Sequence, residues 1–134
     1  MATIKSFTSI EQSKKLSEIL PLESADMYYF RQIDNDYFPP DVESICPIPL
    51  FKNGKEDFNY DIRCWSLAAL RNLLPTAIRP NKDLYLFESH NTFDNSWVYR
   101  YYNEDDTSYL YCKDTNEVDA CFEMIIKLKE NKLI

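Results

Sequence analysis

Residues 61–75 read DIRCWSLAALRNLLP and form the most apolar run of the chain. Three leucines recur at the spacing of one helix face: Leu67, Leu70 and Leu74. Asp61 can accept hydrogen bonds from the free N–H groups of a first helical turn, and Pro75 cannot continue a helix. We therefore predict an amphipathic helix between Asp61 and Pro75. Trp65 would lie on its flank, where inward packing of the leucines need not bury the ring fully.

Length and composition bound the class of protein. The 134 residues suit one domain with its own core, without metal or disulfide cross-links. Hydrophobic residues make up 45% and aromatic residues 15%, which excludes a disordered chain. The net charge of -7 argues against binding to a nucleic-acid backbone, which needs basic surface, so we expect no nucleic acid as partner.

The chain gives no sign of export or membrane insertion. No stretch approaches the roughly 20 apolar residues of a membrane helix, so we expect no membrane association. Residues 1–12 lack the apolar centre of a signal peptide. Four cysteines occur without CxxC spacing: Cys46, Cys64, Cys112 and Cys121. We predict reduced thiols that serve as small apolar core residues in a cytoplasmic protein.

The first half of the chain predicts one helix, one strand and a long irregular segment. Residues 8–11, TSIE, have the pattern of a capping box with the threonine as cap, so we expect a helix that ends at Leu20. A strand is expected within residues 25–30. Residues 31–60 form an irregular acidic segment with four prolines. An Asn-Gly pair that contains the only glycine, Gly54, favours a tight turn there.

The second half predicts a sheet. Three short strands separated by polar turns suggest an antiparallel meander: 84–88, 97–102 and 108–112. Alternation divides their side chains into two sets. The mostly aliphatic set is Leu84, Leu86, Val98, Leu110 and Cys112. The aromatic set is Tyr85, Phe87, Trp97, Tyr99, Tyr101, Tyr109 and Tyr111.

A last helix is expected over residues 117–131, capped by Asn116. Its apolar stripe is Val118, Cys121, Phe122, Ile125 and Leu128. The simplest assembly packs this stripe on the aliphatic face, with Ile125 against Leu86, Val98 and Leu110. The sequence therefore predicts a single α+β domain over residues 1–134, in which a three-stranded antiparallel meander and one further candidate strand pack with N-terminal, central and C-terminal helices.

Three stretches resemble a known family: EQSKKLSEILPLESADMYY (11–29), CWSLAALRNLLP (64–75) and NEVDACFEMIIKLKENKLI (116–134). They are similar to short, uncharacterised proteins from gut-bacterial genomes and their phages, over about half of the chain. The resemblance implies an association with a phage or mobile element and no particular activity. The family pattern has a small residue before the tryptophan and does not require cysteine, which argues against a catalytic role for Cys64.

Cys64 is nevertheless the candidate nucleophile of the one enzymatic hypothesis. In the first turn of the predicted helix, the helix dipole would favour its thiolate. His90, the only histidine, could act as base and Asp94 could orient it, as in papain-like and transglutaminase-like enzymes. The motifs of those families are not matched. We therefore predict no catalytic site, and a cysteine hydrolase or transferase that uses Cys64, His90 and Asp94 is the alternative.

We expect no metal and no cofactor. Asp34, Asp36 and residues 104–106 offer the oxygen ligands that Ca²⁺ or Mg²⁺ prefers, but the loop spacing of such sites is absent. Four zinc-binding side chains also lack the diagnostic spacing: Cys46, Cys64, His90 and Cys112.

Trp65, Tyr99 and Tyr101 are the predicted binding residues. Aromatic sheet faces stack bases in single-strand nucleic-acid binders, but the acidic charge disfavours that partner. A protein surface or a small aromatic ligand fits better, and burial of these rings in the core is the other interpretation. We predict a non-enzymatic cytoplasmic interaction or accessory protein of phage or mobile-element origin, with a host protein as partner. A module that binds a small, nucleotide-like aromatic ligand is the alternative, and the oligomeric state is not predicted.

Overall fold

The computed structural model describes residues 5–33, 43–45, 48–52 and 62–134, and only the strand backbone of residues 31–33 and 43–45. The chain forms two compact units. The N-terminal unit comprises the described residues between 7 and 66, and the C-terminal unit comprises residues 67–134 together with residues 5 and 6. Helices and antiparallel sheets both occur, so the predicted α+β class is confirmed. A single domain over the whole chain stays a prediction.

The N-terminal unit packs helix α1 (Ile10–Ile19) against strand β5 (Ile62–Cys64). Its three-stranded antiparallel sheet has the order β4 (Leu50–Phe51), β1 (Met27–Tyr29), β5. A separate antiparallel pair is formed by β2 (Arg31–Ile33) and β3 (Glu43–Ile45). The strand predicted within residues 25–30 is thus confirmed as β1. The predicted turn at Gly54 lies outside the described residues, as do Cys46, Asp34 and Asp36.

Helix α1 has a capping box one residue later than predicted. Ser9 is the N-cap: its side chain accepts from the backbone N–H of Gln12, whose side chain accepts in return from the Ser9 N–H. Thr8 is buried instead, and its Oγ1 accepts from the backbone N–H of Trp65 at 3.1 Å. The Thr8 hydroxyl is therefore used within the core, and the next residue, Ser9, caps the helix.

The predicted helix from Asp61 is wrong over its first part. Residues 62–64 form β5 and pair with β1, with Cys64 opposite Met27 and Ile62 opposite Tyr29. Ile62 and Cys64 are both buried and lie on one side of the strand, and β5 contacts helix α1. The helix that follows, α2, covers only Leu67–Asn72. Asp61 itself lies outside the described residues.

The C-terminal unit contains a four-stranded antiparallel sheet and helix α3 (Glu117–Glu130), counted over the residues that the structure describes. The strands follow chain order: β6 (Ala77–Ile78), β7 (Tyr85–Asn91), β8 (Trp97–Tyr102) and β9 (Ser108–Asp114). Helix α3 contacts α2, β8 and β9. Its predicted cap is confirmed, because the Asn116 side chain accepts from the backbone N–H of Asp119 at 3.2 Å. None of the described helices has the length and apolar character needed to span a membrane.

The predicted division of the sheet into an aliphatic and an aromatic face is wrong. The strand register places both kinds of side chain on one face: Phe87, Tyr99, Tyr101, Leu110 and Cys112. This face lies under α3, because the Tyr99 hydroxyl donates to Glu117 of that helix at 2.6 Å. Leu86 and Val98 belong to the opposite face, so they are not the partners of Ile125. Alternation holds within each strand, but the register between strands pairs odd positions of β8 with even positions of β9.

Candidate functional site

The three predicted binding residues are all fully buried. Trp65 belongs to the N-terminal unit, and Tyr99 and Tyr101 belong to the C-terminal unit. The rings of both tyrosines pack beside Phe87, with centroid separations of 5.5 Å for Tyr99 and 5.4 Å for Tyr101. Each of the three residues therefore has the surroundings of a core residue.

The indole N–H and both backbone polar groups of Trp65 are hydrogen-bonded. The indole N–H donates to Ser24 Oγ at 2.9 Å, and the backbone carbonyl accepts from the N–H of Thr8 at 3.0 Å. Because α2 begins only at Leu67, no helical turn starts at this tryptophan. The expected position of Trp65 on the flank of a helix and its expected partial exposure are both wrong. A ligand would have to displace core contacts to reach this ring.

Tyr99 lies at the centre of a charged network in the C-terminal unit. Its hydroxyl accepts from Arg71 Nη1 at 2.6 Å and donates to Glu117 Oε2 at 2.6 Å, and the two charged groups also pair directly at 2.9 Å. Burial raises the pKa of Tyr99, and the hydrogen bond to Glu117 raises it further. The hydroxyl of Tyr101 is also used internally, since it donates to the carbonyl of Pro75 at 2.7 Å. These contacts tie α2, β8 and α3 together and keep Tyr99 a neutral phenol.

Cys64 lies in strand β5 and is fully buried. Burial raises the pKa of its thiol, although hydrogen bonds from Thr8 and Ser13 act in the opposite direction. The sulfur lies 3.5 Å from both the hydroxyl and the carbonyl oxygen of Thr8. The predicted position in a first helical turn is wrong, so the dipole that was expected to favour the thiolate is absent.

His90 and Asp94 both belong to the C-terminal unit, and each has a different partner. His90 Nδ1 lies 2.5 Å from Glu88 Oε1. Asp94 accepts from the Thr92 hydroxyl and, at 3.1 Å, from Lys113 Nζ. These two hydrogen bonds lower the pKa of Asp94 to about 2. His90 is therefore oriented by Glu88, and the hydrogen bonds of Asp94 go to Thr92 and Lys113.

Alkylation in the native state tests the enzymatic alternative directly. We expect iodoacetamide at neutral pH to label Cys64 no faster than Cys112 or Cys121, because all three free thiols are buried. Burial also raises the pKa of Cys112 to about 11 and that of Cys121 to about 12, so little thiolate is present. All three should label on the order of 100-fold more slowly than in the urea-unfolded chain, since labelling requires opening. Faster labelling of Cys64 than of the other two, measured by peptide mapping, would support the alternative hypothesis of a cysteine hydrolase or transferase.

The acidic turn after β8 does not form a metal site. Asp106 is paired with Arg100 Nη2 at 2.9 Å. Across the described ranges, no group of three or more histidine, cysteine, aspartate or glutamate side chains is placed to hold a metal ion.

The most exposed large apolar side chain in the described part of the chain is Phe93, which is fully exposed (108%). It sits at the tip of the β7–β8 hairpin, and backbone hydrogen bonds close that tip. Thr92 N–H donates to the Ser96 carbonyl at 2.7 Å, and Asn95 N–H donates to the Thr92 carbonyl at 2.9 Å. Side chains add further closure: Ser96 N–H donates to Thr92 Oγ1 at 3.0 Å, and Asn91 Nδ2 donates to the Ser96 carbonyl at 3.1 Å. The phenyl ring is therefore presented on a fixed turn.

Sequence reasoning missed Phe93, although a signal was present. Residues 91–96 read NTFDNS, in which five of the six residues are typical of turns. A phenylalanine inside such a run cannot reach the core from a tight hairpin tip. The prediction instead followed the aromatic residues within the strands, which the structure places in the core.

A pocket of about 390 Å³ lies at the other end of the same two strands. Its apolar lining consists of Leu84, Leu86 and Tyr102, and its polar lining consists of Asn103, Asp83, Glu104 and Asp105. Leu84 and Leu86 are 43% and 45% exposed. Leu86 lies directly opposite Tyr102 in the register of β7 and β8, so the two side chains share a face.

No family model, no curated protein and no solved structure matches this chain. The resemblance to gut-bacterial and phage proteins therefore stays a prediction. The binding residues that the sequence singled out are buried, whereas Phe93, which it did not single out, is exposed.

Proposed function

We propose that the protein is a non-enzymatic interaction protein that uses Phe93 as an anchor for a partner protein. One observation carries the proposal: a fully exposed phenylalanine occupies a hairpin tip that is closed by hydrogen bonds. A single exposed apolar residue is ordinary on a protein surface. One on a preorganised turn is different, because the backbone that carries it loses less conformational entropy on binding.

The surroundings of Phe93 suit the rim of an interface. The Asp94–Lys113 ion pair lies beside the tip, and both side chains are about half exposed. His90, also half exposed, is paired with Glu88 on the same hairpin. Interfaces commonly place an aromatic residue at the centre and polar groups around it. The partner surface is accordingly an apolar pocket of the size of a phenyl ring, bordered by polar groups.

A host protein is the proposed partner. The resemblance to proteins of gut bacteria and their phages supports this choice, since accessory proteins of mobile elements act on components of the host. The buried positions of Trp65, Tyr99 and Tyr101 favour this surface over a small aromatic ligand held among those rings.

Phe93→Ser tests the proposal. We expect partner retention from a host-cell lysate, quantified by mass spectrometry, to fall about tenfold or more, as for the loss of a central anchor. The free energy of unfolding should change by less than about 0.5 kcal/mol, because the side chain is fully exposed. A photo-crosslinking amino acid at position 93 should then capture the same partner covalently.

Phe51→Ser is the matched control, because it makes the same change at an exposed side chain (69%) in the N-terminal unit. It should leave partner retention unchanged. If Phe93→Ser retains every protein that the natural chain retains, or if crosslinks from positions 93 and 51 capture the same set, the anchor role of Phe93 is wrong.

A further inference from the structure

We infer that the C-terminal unit carries a second docking surface, the pocket around Leu84 and Leu86, and that it binds a basic segment of a partner protein through an apolar side chain. This surface is separate from the Phe93 anchor. The tip that holds Phe93 joins the end of β7 to the start of β8, whereas the pocket lies at the start of β7 and the end of β8. The two surfaces therefore lie at opposite ends of the same pair of strands.

The floor of the pocket is apolar and open to solvent. Leu84 and Leu86 leave more than two fifths of their area exposed, and the cross-strand neighbour Tyr102 adds a ring to the same floor. Covering exposed leucine surface contributes favourable free energy in proportion to the apolar area removed from water. An open floor of this kind suits a side chain supplied by a protein segment, whereas small ligands are commonly enclosed on most sides.

The border of the pocket is acidic, and its shape is fixed by the turn after β8. Asn103 organises that turn, since its Oδ1 accepts from the backbone N–H groups of Asp105 at 3.0 Å and Thr107 at 2.9 Å. Its carbonyl also accepts from the N–H of Asp106 at 3.0 Å. Glu104 and Asp105 thus project from a closed turn at the edge of the pocket. Asp83, next to Leu84 in the chain, supplies a third carboxylate.

The neighbouring cation does not neutralise this border. Arg100 donates to Glu88 at 2.7 Å, pairs with Asp106 at 2.9 Å, and lies 4.7 Å from the centre of the Tyr102 ring. Two carboxylates therefore already compensate its charge. Among the described residues that line the pocket, three are acidic and none is basic.

Charge complementarity selects the occupant. Three carboxylates around an apolar floor attract lysine and arginine side chains and repel nucleic acids and anionic lipid surfaces. The apolar floor adds selection for a leucine-sized side chain between the basic residues. A basic amphipathic segment of a partner protein meets both requirements. The net charge of -7 would also speed the encounter with such a segment.

Binding of labelled synthetic peptides to the full chain, followed by fluorescence anisotropy, tests the inference. Three short peptides of equal length are compared: one alternates lysine and leucine, one lysine and serine, and one glutamate and leucine. We expect the lysine–leucine peptide to bind at least about tenfold more tightly than either of the others. Its affinity should fall several-fold between about 50 mM and about 300 mM salt, because screening weakens exposed charge pairs.

Substitutions then locate the site. Leu86→Ser and Leu84→Ser should each weaken binding of the lysine–leucine peptide about fivefold to tenfold, and Asp105→Asn should reduce the salt dependence. Glu130→Gln, the loss of one exposed carboxylate on α3, should leave the affinity unchanged. Circular dichroism confirms that each variant is folded.

Several results would overturn the inference. Equal binding of the lysine–serine peptide would mean that only charge attracts it, and equal binding of the glutamate–leucine peptide would mean that only apolar contact does. Unchanged affinity in both leucine variants would place binding elsewhere, as would weak binding of all three peptides. Since Phe93→Ser is the test of the proposed anchor, loss of one surface is measured independently of the other.

Discussion

Replacing Trp65 with alanine should lower the free energy of unfolding by about 3–5 kcal/mol, the usual range for truncating a buried tryptophan. Trp65 is fully buried in the N-terminal unit. The variant removes the largest side chain of this core and leaves a cavity that the surrounding structure can fill only in part. It also removes the hydrogen bond that the indole N–H donates to Ser24 Oγ. Urea unfolding followed by circular dichroism measures the loss.

Trp65→Phe separates ring volume from the hydrogen bond. It keeps most of the apolar volume and loses the indole N–H, so we expect a smaller loss of about 1–2 kcal/mol. Partner retention should be unchanged in the folded variant. A loss under about 1 kcal/mol for Trp65→Ala, or near-normal stability of Trp65→Phe with weakened retention, would contradict the core role and support the binding role that the sequence suggested.

Helix α3 could be predicted from the sequence because its signals are local. Asn116 caps the helix, and apolar residues recur at helical spacing within one short stretch. Val118, Cys121 and Leu128 are buried as predicted. Neither the cap nor the spacing depends on which surface the helix covers. The same signals do not tell which sheet face the helix covers, and the all-aliphatic face that we predicted beneath it was wrong.

The segment before α2 could not be assigned from local signals. Ile62 and Cys64 continue an apolar run into Leu67, and a short apolar run is compatible with either a helix or a buried strand. Pairing with Met27–Tyr29, more than thirty residues away in the chain, decides in favour of a strand. Trp65 directly follows this strand and is fully buried, so its predicted place on the flank of a helix is wrong.

The sheet faces depended on register, which is also non-local. Alternation within β8 and β9 was readable, but the alignment of one strand with the other was not. The register also shifts between Tyr101 and Tyr102. As a result, the predicted binding tyrosines lie under α3, whereas Leu86, predicted as core, lies at a surface pocket. Sequence patterns found the aromatic and aliphatic residues of this sheet but did not tell which of them meet solvent.

Truncating Ile125 should destabilise the chain by about 2–5 kcal/mol, the usual range for a buried isoleucine changed to alanine. Ile125 is fully buried on α3, and this helix contacts α2, β8 and β9. Its neighbours Cys121 and Leu128 on the same stripe are also fully buried, so little rearrangement is available to close the cavity. Equilibrium unfolding in urea, with circular dichroism as the signal, gives the change.

Ile126→Ala is the matched control, because it makes the same substitution at the next position of the same helix. Ile126 is only half-buried, and the gain in helix propensity is the same for both variants. We therefore expect Ile126→Ala to lose clearly less stability than Ile125→Ala. Equal losses, or a loss well under 1 kcal/mol for Ile125→Ala, would mean that α3 packs through a different face. The larger loss at Ile125 would instead locate the core of the C-terminal unit between α3 and the face that carries Tyr99 and Tyr101.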